Sequence, residues 1–166
     1  MARKRRTRKR QSDKRKLSEH YRLAADEIAL DDDLKGAISA YEQATSIDGS
    51  NADALVGLGD SYMASELPAK AFRAYKQALS VHPRHAQAHA ALADFLARHG
   101  YLNQATRAQE RAVECDPTHA YLHYRLARLY AFGGQFARAE EQLGVAIELD
   151  GEEALYHYRL GEWRAR

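Results

Sequence analysis

The chain has 166 residues, of which 45% are hydrophobic and 29% charged, with a formal net charge of +2 and a single cysteine. One cysteine excludes an internal disulfide framework, and no apolar run approaches the roughly 18 residues that a membrane span needs. No apolar h-region follows the basic start, so no secretory signal is expected, and the expected location is cytoplasmic.

Residues 1–17 form a basic leader. Ten of the 25 Lys and Arg residues fall in its first 16 positions, among them Arg3, Lys4, Arg5, Arg6, Arg8, Lys9 and Arg10. From residue 17 onward 15 cations face 22 acids, so the remainder bears about minus seven. A segment this basic and this poor in apolar residues cannot bury a core, and it reads as disordered in isolation. Four roles stay open for it. It can touch nucleic acid or an anionic surface through phosphates, serve as a nuclear import signal, act as a solubilising tail with no ligand, or fold back onto the acidic body. About 50 Å of extended backbone suffices for that last role. No aromatic residue interleaves the charges, so base stacking is not expected.

Behind the leader the sequence repeats every 34 residues, with copies at 18–51, 52–85, 86–119 and 120–153. Repeat position 7 holds Ala24, Leu58, Leu92 and Leu126; position 20 holds Ala37, Ala71, Ala105 and Ala139; position 27 holds Ala44, Ala78, Ala112 and Ala146. In the first copy Leu34, Ala37, Ile38, Tyr41, Ala44 and Ile47 fall at steps of three and four, one face of an α-helix. Pro83 and Pro117 stop the second helix of their copies, Gly49 and Gly151 do so elsewhere, and Pro68 and Gly133-Gly134 mark turns inside copies. Gly59, Ala93, Ala127 and Gly161 sit where two helix backbones approach. Residues 154–166 repeat the start of a copy and read as a capping helix. Position 11 is apolar or aromatic in full copies but Arg164 in the cap, which suits a solvated end, while Trp163 beside it leaves a dimer contact open. A monomer or weak dimer is expected.

The second copy carries Leu55, Leu58-Gly59, Tyr62, Ala71, Tyr75, Ala78 and Pro83 at the spacings of a helix-turn-helix repeat. The sequence therefore resembles the tetratricopeptide repeat family. That resemblance implies an all-α, right-handed α-solenoid whose first helices line a concave groove for a protein or peptide ligand. It also implies that positions 2, 5, 6, 9, 12 and 13 supply the groove. Position 9 gives an acidic series, Asp26, Asp60 and Asp94. The last copy and cap instead give Tyr121, Tyr124, Arg125, Arg128, Phe132, Tyr158 and Arg159, the residue types that dominate binding hot spots. The family's carboxylate clamp for acidic chaperone tails is not matched, since its positions hold Val56, Asp60, Ala91, Tyr121 and Arg125, and only the arginine fits.

No catalytic set, cofactor or metal site is expected. His89, His123 and His157 all occupy position 4, and side chains related by a repeat translation do not converge on one ion. Cys115 occupies position 30 among Ile47, Val81 and Leu149 and reads as a small buried hydrophobe. The expected role is a non-catalytic interaction scaffold, with a nucleic-acid or ribosome-associated protein as the alternative.

Overall fold

The computed structural model describes residues 2–164, with side chains described from Thr7 to Trp163. Nine α-helices run through the described residues: α1 Ala2–Leu30, α2 Leu34–Ile47, α3 Ala52–Ala64, α4 Pro68–Val81, α5 Ala86–Arg98, α6 Leu102–Cys115, α7 Ala120–Phe132, α8 Phe136–Leu149 and α9 Ala154–Arg164. From residue 18 onward they fall two to a copy, and α9 is the lone helix after the fourth. No helix among the described residues is long and apolar enough to cross a membrane.

Local chemistry explains the boundaries. Asp33 and Asn51 cap α2 and α3, each accepting a backbone N–H at 3.0 Å from Gly36 and Ala54 respectively. Pro68 is the first residue of α4, where its missing N–H is no loss. The turn inside every copy places position 15 in the left-handed region: Asp32 at φ 64°, Glu66 at 59°, Gly100 at 81° and Gly134 at 75°. Only the last two copies use glycine there, which tolerates that backbone without a Cβ clash.

The protein divides into two compact units, residues 1–88 and 89–166. In the first, α1 packs on α2 and α3 on α4. Ala37, Ala44, Ala71 and Ala78 of the recurrent alanine columns are fully buried. Gly59 meets the Tyr75 ring so closely that an added Cβ would overlap it, and Gly57 meets the Tyr41 ring in the same way. In the second unit, Tyr124, Leu126, Tyr130 and Leu143 form a core with Tyr156 and Trp163 of α9. Trp163 is 9% exposed, so the cap spends it on internal packing. Gly161, by contrast, has open space around it.

Two expectations are corrected. The leader is helical, as the first half of α1, and Thr7–Leu17 is exposed along its length. Lys, Arg and Gln are good helix formers, the segment lacks Gly and Pro, and a helix already anchored by α2 extends by one bond per residue. Within its described part, Arg15 lies 4.0 Å from Asp48. Arg3, Lys4, Arg5 and Arg6 lie outside the described side chains, as does Arg164. Cys115, second, is half-buried, and Val81 and Leu149 of the same column are 39% and 42% exposed. That column falls on the last turn of the second helix, where packing against neighbours runs out.

Candidate functional site

Position 9 organises both units. In the first copy Tyr41 of α2 donates its hydroxyl to Asp26 of α1, and in the second Tyr75 donates to Asp60 at 2.7 Å. Arg22 adds a second cover on Asp26 and also holds Glu19 at 2.6 Å. That contact lowers the Glu19 pKa, while burial, then the bond to Asp26, raises that of Tyr41. The acidic series is thus partly committed to internal bonds. Tyr41 and Tyr75 both stand at position 24, and their recurrence fifteen residues after Asp26 and Asp60 was the sequence signal for this pairing.

The third copy solves the same problem differently. Position 24 is Gln109, too short to replace the tyrosine, and Asp94 is held at 2.6 Å by Arg125 from position 6 of the next copy. Arg125 also donates to the Ala90 carbonyl at 2.6 Å. Position 6 is Gly57 where Tyr41 fills the space, so a large-and-small pair has become a short-and-long one. The exchange accompanies a cavity of about 520 Å³ in the second unit. Arg125, Arg128, Arg159, Phe132, Phe136 and Trp163 line it.

Of the expected anchors, the structure brings Arg125, Arg128, Arg159 and Phe132 to this one cavity. Phe132 is 83% exposed, Tyr158 67% and Tyr121 48%. Arg125 lies 5.9 Å from the Tyr121 ring centre, Arg128 5.8 Å from that of Tyr124 and Arg159 5.9 Å from that of Tyr158. Such stacking holds each guanidinium in place without consuming its hydrogen-bond donors. Tyr124 itself is 4% exposed, which corrects its reading as a surface anchor. Its ring packs on Tyr156 of the cap at 5.2 Å. Position 5 is buried at Val56 and Ala90 as well, whereas Tyr158 at the same position of α9 is exposed.

Several of the histidines are tied to backbone. His123 donates to the Pro117 carbonyl and His157 to that of Gly151, both at 3.0 Å, so position 4 repeatedly pins the preceding turn. His85 accepts from the Ala88 N–H at 3.1 Å, which makes its other nitrogen the donor to Asp53 at 3.0 Å. It borders a second cavity of about 950 Å³, within the first unit, beside Arg15, His20, Asp48 and His82. No group of three or more His, Cys, Asp or Glu side chains among the described residues is placed to hold a metal ion.

Two tetratricopeptide repeat models match the sequence, over residues 56–120 and 108–141. The chain belongs to the tetratricopeptide repeat family. Its fold is the all-α solenoid of that family. Pseudomonas aeruginosa PilF superposes with a TM-score of 0.84 at 18% identity, covering 91% of this protein and 69% of that one. MamA from Desulfovibrio magneticus RS-1, residues 41 to its end, gives 0.74 at 23% identity over 93% and 85% of the two proteins. The tetratricopeptide protein TTC0263 of Thermus thermophilus gives 0.72 at 22% over 88% and 80%. These likenesses speak to fold alone. No curated protein sequence matches this one.

Proposed function

We propose that this protein is a non-catalytic, cytoplasmic interaction scaffold that holds a peptide or protein segment on the first-helix face of its second unit. Tetratricopeptide repeats are interaction modules, and no cofactor enters this reading. The observation that carries it is the exposure of Phe132, Tyr158 and Tyr121 beside Arg128 and Arg159. Large stiff rings next to planar cations supply much contact area at little entropic loss. A pull-down after nuclease treatment tests it with Phe132→Ala/Tyr158→Ala, two exposed positions outside the core. Partners held by the parent should be lost or weakened by about 2 kcal/mol per anchor, and an unchanged partner set refutes the assignment.

A second reading rests on the exposed leader helix, whose described part carries Arg8, Lys9, Arg10, Lys14, Arg15 and Lys16. A polyanion contact there predicts nucleic-acid retention that falls steeply with salt. Deleting residues 2–16 should abolish that retention without releasing protein partners of the second unit. Retention that survives the deletion counts against the leader as the contact.

A further inference from the structure

The basic side of the leader helix leads into a recess of the first unit. At about 100° per residue, Arg8 and Lys9 share an arc of about 140° of α1 with Arg15, Lys16, Glu19, His20 and Leu23. The last five of these border the cavity of about 950 Å³. Its other side comes from Asp48 and Ser50 in the turn between α2 and α3, and from Val81, His82 and His85 at and after the end of α4. The leader carries no Phe, Tyr or Trp between its charges, so the ring surface that it lacks is brought to it by the fold.

Three kinds of group meet in the recess. Leu23 and Val81 present exposed apolar surface. His20 and His82 are exposed rings, and His82 stands edge-on to His85 at 5.3 Å. His85 is fixed at both nitrogens by Ala88 and Asp53, so His82 rests on an anchored neighbour. Lys16 meets no carboxylate among the described residues, and Arg15 reaches Asp48 only at 4.0 Å, beyond hydrogen-bonding distance. The carboxylates of the lining are engaged: Glu19 by Arg22 at 2.6 Å, Asp48 by the Ser50 hydroxyl at 2.6 Å and Asp53 by His85 at 3.0 Å. Their charge disfavours a phosphate inside the recess, whereas Arg15 and Lys16 extend the leader's row of cations towards it.

We propose that the first unit binds single-stranded nucleic acid, with phosphates along Arg8, Lys9, Arg15 and Lys16 and one unstacked base in the recess against His20 and His82. The assignment deepens the polyanion reading of the leader and rests on it. A strand joins regularly spaced anions to flat, uncharged rings, which is the order in which this surface offers cations and then rings. Imidazoles and apolar side chains are ordinary partners for a splayed-out base. Arg8 to Lys16 spans about 12 Å of helix, so the phosphate contacts lie next to the recess on one continuous element. A duplex shares those contacts but keeps its bases in the stack, and an anionic lipid headgroup such as phosphatidylserine brings no ring.

Fluorescence anisotropy of the full chain at pH 8 tests this with labelled twelve-nucleotide strands: deoxycytidine, cytidine, and an abasic strand that keeps every phosphate. At least one of the first two should bind about fivefold or more tightly than the abasic strand, and the tighter of them names the sugar. His20→Ala/His82→Ala, at two exposed positions, should remove that gain while abasic binding and the melting curve stay unchanged. Should the pair fail to fold, Leu23→Glu, also exposed, puts a charge on the apolar surface and should remove the same gain. Arg15→Gln/Lys16→Gln should instead weaken all strands together and flatten the salt dependence by about 1.4, at about 0.7 per single-strand phosphate. Abasic binding as tight as that of both other strands, a gain that survives the histidine pair and Leu23→Glu, or an equal loss on phosphatidylserine vesicles in the histidine variant would each overturn the proposal. If one of these occurs while deleting residues 2–16 still abolishes strand binding, the leader contact stands and only the recess falls. If no strand binds the parent, both fall.

Discussion

Tyr130 offers a test of the packing logic through pH. Its hydroxyl donates to Glu110 at 2.6 Å, it is 3% exposed, and burial, reinforced by that bond, pushes its pKa from 10.0 up to about 12. The Arg138 guanidinium, 4.2 Å from the ring centre, works in the opposite direction without reversing the shift. Near neutral pH, Tyr130→Phe removes one hydrogen bond to a carboxylate that Arg138 also approaches at 3.5 Å. The expected loss is about 1.5 kcal/mol, the lower end for a charged acceptor. Above pH 10 the sign changes. The unfolded state releases the phenolic proton near 10 and the folded state near 12, so stability present below pH 10 drains away as pH rises. The full difference of two pKa units is worth about 2.7 kcal/mol, of which about 2 is gone by pH 12. Phenylalanine has no proton to lose. Urea unfolding followed by far-UV circular dichroism at pH 8, 10, 11 and 12 should therefore show the parent ahead at pH 8 and Tyr130→Phe ahead at pH 12. A gap that stays constant across the series would refute the reasoning. Tyr62, bonded to Glu42 at 2.7 Å and likewise pushed to about 12, repeats the arrangement in the first unit.

Four further substitutions are read by thermal or urea melts. Gly59→Ala should destabilise by about 1–3 kcal/mol because its methyl overlaps the Tyr75 ring, whereas Gly161→Ala, in open space on α9, should be neutral or gain up to about 1 kcal/mol. Glu66→Gly should stabilise by about 0.5–1 kcal/mol, since relief of a left-handed backbone worth about 1–2 exceeds the entropy that glycine adds to the unfolded state. Leu143→Ala, at a fully buried position, should destabilise by about 3–5 kcal/mol and shift Trp163 emission to the red as the cap loosens. A blue-shifted or unchanged spectrum would separate Leu143 from the cap.

The helix bounds of the repeats were legible because small residues at crossings and stops at fixed spacing act locally, and each recurs in every copy. The leader was not, because composition describes an isolated segment and carries no information about a helix nucleated downstream. Position 5 misled for a different reason. Whether Tyr124 faces solvent depends on whether α9 lies over it, while Tyr158 at the same position is left uncovered. The joints at position 9 were readable in part. Tyr41 and Tyr75 accompany Asp26 and Asp60 at one spacing, but with Gln109 at position 24 the donor to Asp94 comes from Arg125 of the next copy, a pairing that no single spacing within a copy announces.

Helicity of the leader also changes what a polyanion can gain from it. At about 100° per residue, Arg8, Lys9, Arg15 and Lys16 share an arc of about 120°, while Arg10 and Lys14 point the other way. A duplex lying along the helix then meets four of these six cations, whereas a disordered segment could bring all six to phosphates. Replacing Arg3, Lys4, Arg5 and Arg6 by Gln isolates this set. With slopes of about −0.9 per phosphate contact, the logarithm of duplex affinity against the logarithm of salt should fall with a slope of about −3.6 for the helix and about −5.4 for the disordered form. A helix-breaking Gln11→Pro in the same background should steepen the slope towards the second value. If it leaves the slope unchanged, the helix does not limit which cations reach the polyanion.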